Sequence, residues 1–86
     1  MPKVTIYSTA TCPFCVRAKA LLDKKGVEYE EVRVDQHPDR RPEMESRASG
    51  RTSVPQIFID DFHVGGCDDM YELDFDGDLD SKLGLA

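Results

Sequence analysis

Tryptophan is absent from this 86-residue chain, cysteine occurs three times, and basic residues are outnumbered by acidic ones, 11 against 17. The acid excess leaves a formal net charge of −6, a field that repels polyanions, so neither nucleic acid nor an anionic membrane surface is expected as a partner. No stretch approaches the ~20 apolar residues of a membrane span. Met1–Tyr7 holds no basic segment followed by an apolar run, and a cytoplasmic location is expected. A disulfide scaffold needs cysteine pairs spread along the chain, which an odd count of three does not provide. Repeats, linkers and low-complexity tracts are missing too, so a single domain over residues 1–86 is expected.

What is present suits a folded globule: 40% hydrophobic and 33% charged residues, with four Phe and three Tyr. Lys3–Tyr7 alternates and is β-branched, which predicts a strand ended by the polar run Ser8–Thr11. From Pro13, the residues Cys15, Ala18, Leu21 and Leu22 fall on one helical face, predicting a helix to about Lys25 with Gly26 as its stop. Val27–Val34 reads as a second strand, parallel to the first across a right-handed crossover.

Asp39–Ala48, interrupted by Pro42, predicts a second helix ending near Gly50. Gln56–Ile59 and Phe62–Val64, separated by Asp60 and Asp61, have the shape of a hairpin. Cys67–Phe75 predicts a third helix with Asp68 and Asp69 in its first turn, and a short turn at Leu79–Leu83 follows. The order β-α-β-α-β-β-α gives an α/β fold, a four-stranded mixed sheet flanked by helices.

Cys12 and Cys15 stand three positions apart, so a bridge between them closes a tiny ring and restrains little unfolded-chain entropy. Chemistry explains the pair better than stapling. A Cys-x-x-Cys opening a helix puts the first sulfur at the exposed N-terminus, where free N–H groups and the positive end of the dipole favour thiolate. Cys12 is thus the expected nucleophile, with Arg17 adding positive field. Cys15 shares the inner face with Ala18 and Leu22 and is the expected resolving thiol. Pro13 suits the first helical position, because its missing N–H has no intrahelical acceptor there.

A Cys-x-x-Cys is also often half of a zinc site, which His63 and Cys67 would complete as Cys3His. Those two residues fall on a strand and a helix start far along the chain, and Pro13 stiffens what is normally a flexible knuckle. The acidic tail at Asp74, Asp76, Asp78 and Asp80 does not match a calcium loop, since Gly77 comes too early and no Glu closes it. It reads as a solvated face. His37 and His63 have no partner pattern that would make either a general base.

Three segments in order, Tyr7–Cys15 (YSTATCPFC), Thr52–Ile59 (TSVPQIFI) and Gly65–Asp69 (GGCDD), resemble the dithiol glutaredoxins, most of all the short bacterial glutaredoxin 3 type. The likeness covers nearly the whole chain. It implies a thioredoxin-like fold and a glutathione-dependent thiol–disulfide oxidoreductase that reduces protein disulfides and protein–glutathione mixed disulfides. It also implies a cis bond between Val54 and Pro55, placed opposite the cysteine pair. A cis X-Pro bond costs only ~0.5 to 1 kcal/mol, and Pro55 at a strand start needs no N–H in the ladder.

By the same resemblance, glutathione pairs its cysteinyl backbone with Val54 and its γ-glutamyl end with the helix start at Gly66, Cys67 and Asp68. Backbone N–H groups there receive a carboxylate, and the Asp68 side chain accepts from the ammonium. Cys67 itself is expected to pack as a small buried residue. Two positions depart from the family pattern. Thr9 stands where many relatives carry a lysine for the glycine carboxylate, leaving Arg41 (or Arg40) as the substitute cation. Phe14 replaces a commoner tyrosine and keeps an aromatic wall beside the disulfide. The implied enzyme works as a monomer with glutathione and with disulfide-bonded or glutathionylated proteins, and needs no metal or prosthetic group. The rival readings are the zinc module and an iron–sulfur carrier in which two chains share a cluster through Cys12 and glutathione; Pro13 argues against the second.

Overall fold

The computed structural model describes residues 2–85; Met1 and Ala86, the ends of the expected domain, lie outside the described residues. The order is β1 (Val4–Ser8), α1 (Pro13–Lys24), β2 (Glu30–Arg33), a 3-10 turn at Pro38–Arg40, α2 (Arg41–Arg47), β3 (Gln56–Ile59), β4 (Phe62–Gly65), α3 (Cys67–Phe75) and α4 (Asp78–Lys82). The strands form one mixed sheet in the order β2-β1-β3-β4. β1 runs parallel to β2, with Thr5 opposite Glu30 and Ser8 opposite Arg33, and antiparallel to β3, with Val4 opposite Ile59. β3 and β4 form the expected hairpin, with a register shift at Ile57/Phe58.

All five residues of β1 are buried, because alternate side chains enter different cores on the two faces of the sheet. Val4 and Ile6 join Ile57 and Ile59 beneath Ala18, Leu21 and Leu22 of α1 and Met70 of α3. Tyr7 and Phe58 point the other way and pack with Val32, Val34 and Met44. Ile6 is 0% exposed, so Ile6→Ala would cost about 2 to 5 kcal/mol through lost transfer energy and the cavity left behind. The second core is clamped by α2. The Tyr7 hydroxyl donates to Glu43 and accepts from Arg47 at 3.0 Å, while the Arg47 guanidinium lies 4.2 Å over the Phe58 ring.

Two elements differ from the sequence expectation. β2 is shorter than Val27–Val34, because its ladder with β1 runs only from Glu30 to Arg33; Val27 and Val34 stay buried on either side of it, their N–H groups donating to the Leu22 and Ser8 carbonyls at 3.3 and 3.0 Å. The second helix splits into a 3-10 turn and α2, with Pro42 tolerated in the first turn of α2, where its missing N–H costs nothing. Ser49 and Gly50, both at positive φ, end it. The acidic tail is not wholly solvated: Lys25 at the end of α1 bridges Asp74 at 2.6 Å and Asp80 at 2.7 Å, which ties α4 to the body of the fold. No helix is long and apolar enough to cross a membrane among the described residues.

Candidate active site

β1 delivers the chain to the site, and the connecting loop is held on both sides. Ser8 is fully buried, and its hydroxyl donates to Glu31 at 2.6 Å. Burial pushes the Glu31 carboxyl up, but hydrogen bonds from Ser8 and Lys19 outweigh it and leave the group below its ordinary value. The Ala10 N–H donates to Asp35 at 3.1 Å, and Arg33 grips the same carboxylate at 2.7 and 2.8 Å. The Arg33 guanidinium, and then the Ala10 N–H, hold the Asp35 carboxyl well below the usual carboxylate range.

Cys12 caps α1 from an extended backbone at φ −98°, with Pro13 in the first turn. Its sulfur accepts the Cys15 N–H at 3.2 Å and lies 3.7 Å from the Val54 carbonyl, to which the thiol donates. Cys12 is partly exposed and Cys15 is 0% exposed. Burial, and then the contact with Cys12, push the Cys15 thiol up to about 12. Cys15 therefore stays a thiol at neutral pH, and the Cys12 sulfur at the helix tip is the accessible one of the pair.

Opposite Cys12, the Val54–Pro55 bond is cis. Gln56, fully buried, braces this loop: its amide donates to the Ser53 carbonyl at 3.0 Å while its oxygen meets His63 Nε2 at 2.7 Å. Burial, and then the charge of Arg51, lower the His63 pKa, so His63 serves the brace as a neutral ring stacked 4.8 Å from Phe58. The third wall is the entry to α3. Gly65 takes φ +111°, Asp69 accepts the Gly66 N–H at 2.8 Å, and Cys67 is buried, which pushes its thiol up.

A cleft of about 280 Å³ is lined by Phe14, Val54, Pro55, Gly66, Cys67 and Asp68, so six of the seven expected binding residues meet there, while neither Cys12 nor Cys15 is on its lining. Phe14 is 51% exposed and is a wall rather than core. The seventh, Arg41, is not on the lining; its guanidinium donates to the Thr52 carbonyl at 2.8 Å, two residues before Val54. Thr9 is not on the lining either. Arg51 and Asp69 are, and sequence reasoning passed over Arg51, although its place three residues before Val54 was the available signal. Two larger concavities, about 540 and 580 Å³, lie elsewhere and contain no cysteine. His63 and Cys67 do not gather with Cys12 and Cys15 into a set of metal ligands among the described residues.

The glutaredoxin family model matches residues 4–64, which includes both cysteines, the cis proline and three of the strands, with β4 matched as far as Val64. The chain belongs to the glutaredoxin family. It is 57% identical over 83 residues to glutaredoxin 3 of Escherichia coli strain K12, covering 96% of this chain and 99% of that protein. The solution structure of a Brucella melitensis glutaredoxin matches with a TM-score of 0.84 and 52% identity, covering 99% of this chain and 91% of that one. A buckwheat glutaredoxin–glutathione complex matches with a TM-score of 0.87 and 30% identity, over 96% and 77% of the two chains. This glutaredoxin is of the bacterial glutaredoxin 3 type, has the thioredoxin-like fold, and is a glutathione-dependent thiol–disulfide oxidoreductase.

Proposed function

We propose that Cys12 and Cys15 carry the reaction and that the cleft beside them holds the glutathionyl group of the substrate. The observation that supports this most is the pairing of an accessible Cys12 sulfur at the α1 tip with the Val54 carbonyl 3.7 Å away, above a buried Cys15. The Cys12 thiolate attacks the glutathione sulfur of a protein–glutathione mixed disulfide. That S–S bond breaks, a Cys12–glutathione disulfide forms, and the protein leaves as a thiolate that takes up a proton. A second glutathione thiolate then attacks the bound glutathione sulfur and releases Cys12 with glutathione disulfide. Alternatively, Cys15 loses its proton, displaces glutathione and closes the Cys12–Cys15 disulfide, which two further glutathiones reopen. Thiol exchange is sufficient, so glutathione is a co-substrate and no bound cofactor takes part.

Within the cleft, the ligand's cysteinyl backbone pairs with Val54 beside Pro55 and its body lies against Phe14. Its γ-glutamyl carboxylate meets the N–H groups that follow Gly66, at Cys67 and Asp68, and the Asp68 carboxylate accepts from its ammonium. Arg41 supplies charge at the glycine end. The protein works as a monomer in the cytoplasm, residues 1–86 acting as one glutaredoxin domain on disulfide-bonded and glutathionylated proteins. Its net charge of −6 disfavours nucleic acid and anionic membranes.

The test is glutathione-dependent reduction of a small glutathione mixed disulfide by the parent, Cys12→Ser and Cys15→Ser, with mass spectrometry for the adduct. A glutathionyl adduct on Cys12 supports the reading. An adduct on Cys15, or none with full activity, refutes it.

A further inference from the structure

Arg51 lies on the cleft but belongs to none of the parts assigned above. Its Nη1 donates to the Asp69 carboxylate at 3.2 Å, and the same Asp69 oxygen accepts the Gly66 N–H. The guanidinium is packed against bare backbone: a Cβ on Gly65 would stand 2.9 Å from Arg51 Nη1, and one on Gly66 would stand 3.7 Å from Nη2. The glycine pair thus makes room for the arginine as well as for the turn. Asp69 is the guanidinium's one hydrogen-bond partner among the described residues, which leaves most of its five N–H donors free, and the side chain stays 47% exposed at the cleft wall.

Charge gives this placement a consequence. α3 opens with two adjacent carboxylates, Asp68 and Asp69, so an anion arriving at the Gly66–Asp68 backbone would meet a doubly negative helix start. Arg51 cancels one of those charges and presents its remaining donors to the same cleft. Arg41, bonded to the Thr52 carbonyl, does not reach this wall.

The geometry points to Arg51 as the specificity-determining cation of the γ-glutamyl end: it offsets Asp69 and binds the ligand's α-carboxylate, so that the enzyme selects thiols bearing a γ-glutamyl group. This rests on the proposed placement of glutathione along the cleft.

The test uses pre-reduced enzyme in single turnovers, which removes glutathione as a second ligand. Two mixed disulfides of one peptide are compared, joined to glutathione or to cysteinylglycine, which lacks the γ-glutamyl group. With the glutathione substrate, Arg51→Gln should raise the half-saturating concentration about fivefold, the scale of a partly exposed charge pair, and leave the limiting rate unchanged. With the cysteinylglycine substrate it should change nothing, and Arg51→Lys should recover part of the loss by keeping charge without the fork. Thermal melts confirm that the variants fold. Equal weakening toward both substrates assigns Arg51 a structural role and overturns the inference, as does no effect on either. If the parent itself fails to discriminate between the two, the placement of glutathione is what fails, and the inference falls with it.

Discussion

The Cys15 N–H donates to the Cys12 sulfur at 3.2 Å, so Cys15 holds that sulfur through its backbone while its own side chain stays buried and, at neutral pH, protonated. One residue therefore serves the site in two ways, only one of which needs a sulfur. Cys15→Ser should keep the backbone contact and most of the deglutathionylation activity, yet lose any reduction that requires the internal disulfide. Cys12→Ser should reduce both to background. Parallel assays on a glutathione mixed disulfide and on a protein disulfide separate the two, and a dead Cys15→Ser beside an active Cys12→Ser would invert the roles.

The raised Cys15 thiol makes the stability of the reduced protein depend on alkaline pH. A thiol held at about 12, above its ordinary 9.0, favours the folded state fully below that ordinary value, and the contribution is lost as pH rises toward 12. Denaturant melts of reduced parent and Cys15→Ser at about pH 8 and about pH 10 should show the parent losing more stability over that interval. Equal losses would mean that the thiol does not feel its burial.

Gly65 sits at φ +111°, and a Cβ there would come within 2.8 Å of Asp69 Cγ and 2.9 Å of Arg51. Gly65→Ala should cost about 1 to 3 kcal/mol in backbone strain, lowering Tm by several degrees in a domain of this size. It should also weaken use of glutathionylated substrate, because the displaced pair forms the cleft wall. A melt unchanged from the parent would show that the turn yields easily.

Local pattern carried most of the fold in this sequence. Period-two alternation located β1, the apolar runs on either side of Asp60 and Asp61 located β3 and β4, and the face shared by Cys15, Ala18, Leu21 and Leu22 located α1, since each signal is local in the chain. The extent of β2 did not show, because it is set by pairing with β1, a partner more than twenty residues away in the chain. The same limit applies at the site. Cys12 and Cys15 are legible from spacing, and Val54, Pro55 and Asp68 from a family motif. Arg51 is marked in the sequence by its place three residues before Val54, but its pairing with Asp69 across 18 residues, like the turn of Arg41 toward Thr52 across 11, is not encoded in a linear pattern.

Asp68 is exposed at the α3 start and makes no side-chain hydrogen bond among the described residues, so it is free for a ligand. Asp68→Ala should raise the glutathione concentration needed for half-maximal rate roughly threefold to tenfold, the range of one hydrogen bond worth about 0.5 to 1.5 kcal/mol net at an exposed position. Thermal melting should barely move. A large drop in Tm with unchanged glutathione dependence would return Asp68 to a purely local role at the helix end.

Thr9, which is not on the cleft lining, offers no cation, and Arg41 donates to the Thr52 carbonyl, which positions its charge just before the Val54 loop. Thr9→Lys should tighten glutathione binding by a few-fold at most, since a partly exposed ion pair contributes about 0.2 to 1 kcal/mol, and the gain should shrink as salt is added. Arg41→Ala removes a charge and a loop contact together, so it should weaken binding in the parent. If Arg41 stands in for the missing lysine, Arg41→Ala should do less harm in the Thr9→Lys background than in the parent, because the new lysine takes over the electrostatic share. Calorimetric titration of a Cys12→Ser, Cys15→Ser background with glutathione, across the four members of this cycle, measures the coupling without turnover. Additive effects would assign Arg41 to the loop alone, and an unaltered affinity in Thr9→Lys would place the glycine carboxylate away from residue 9.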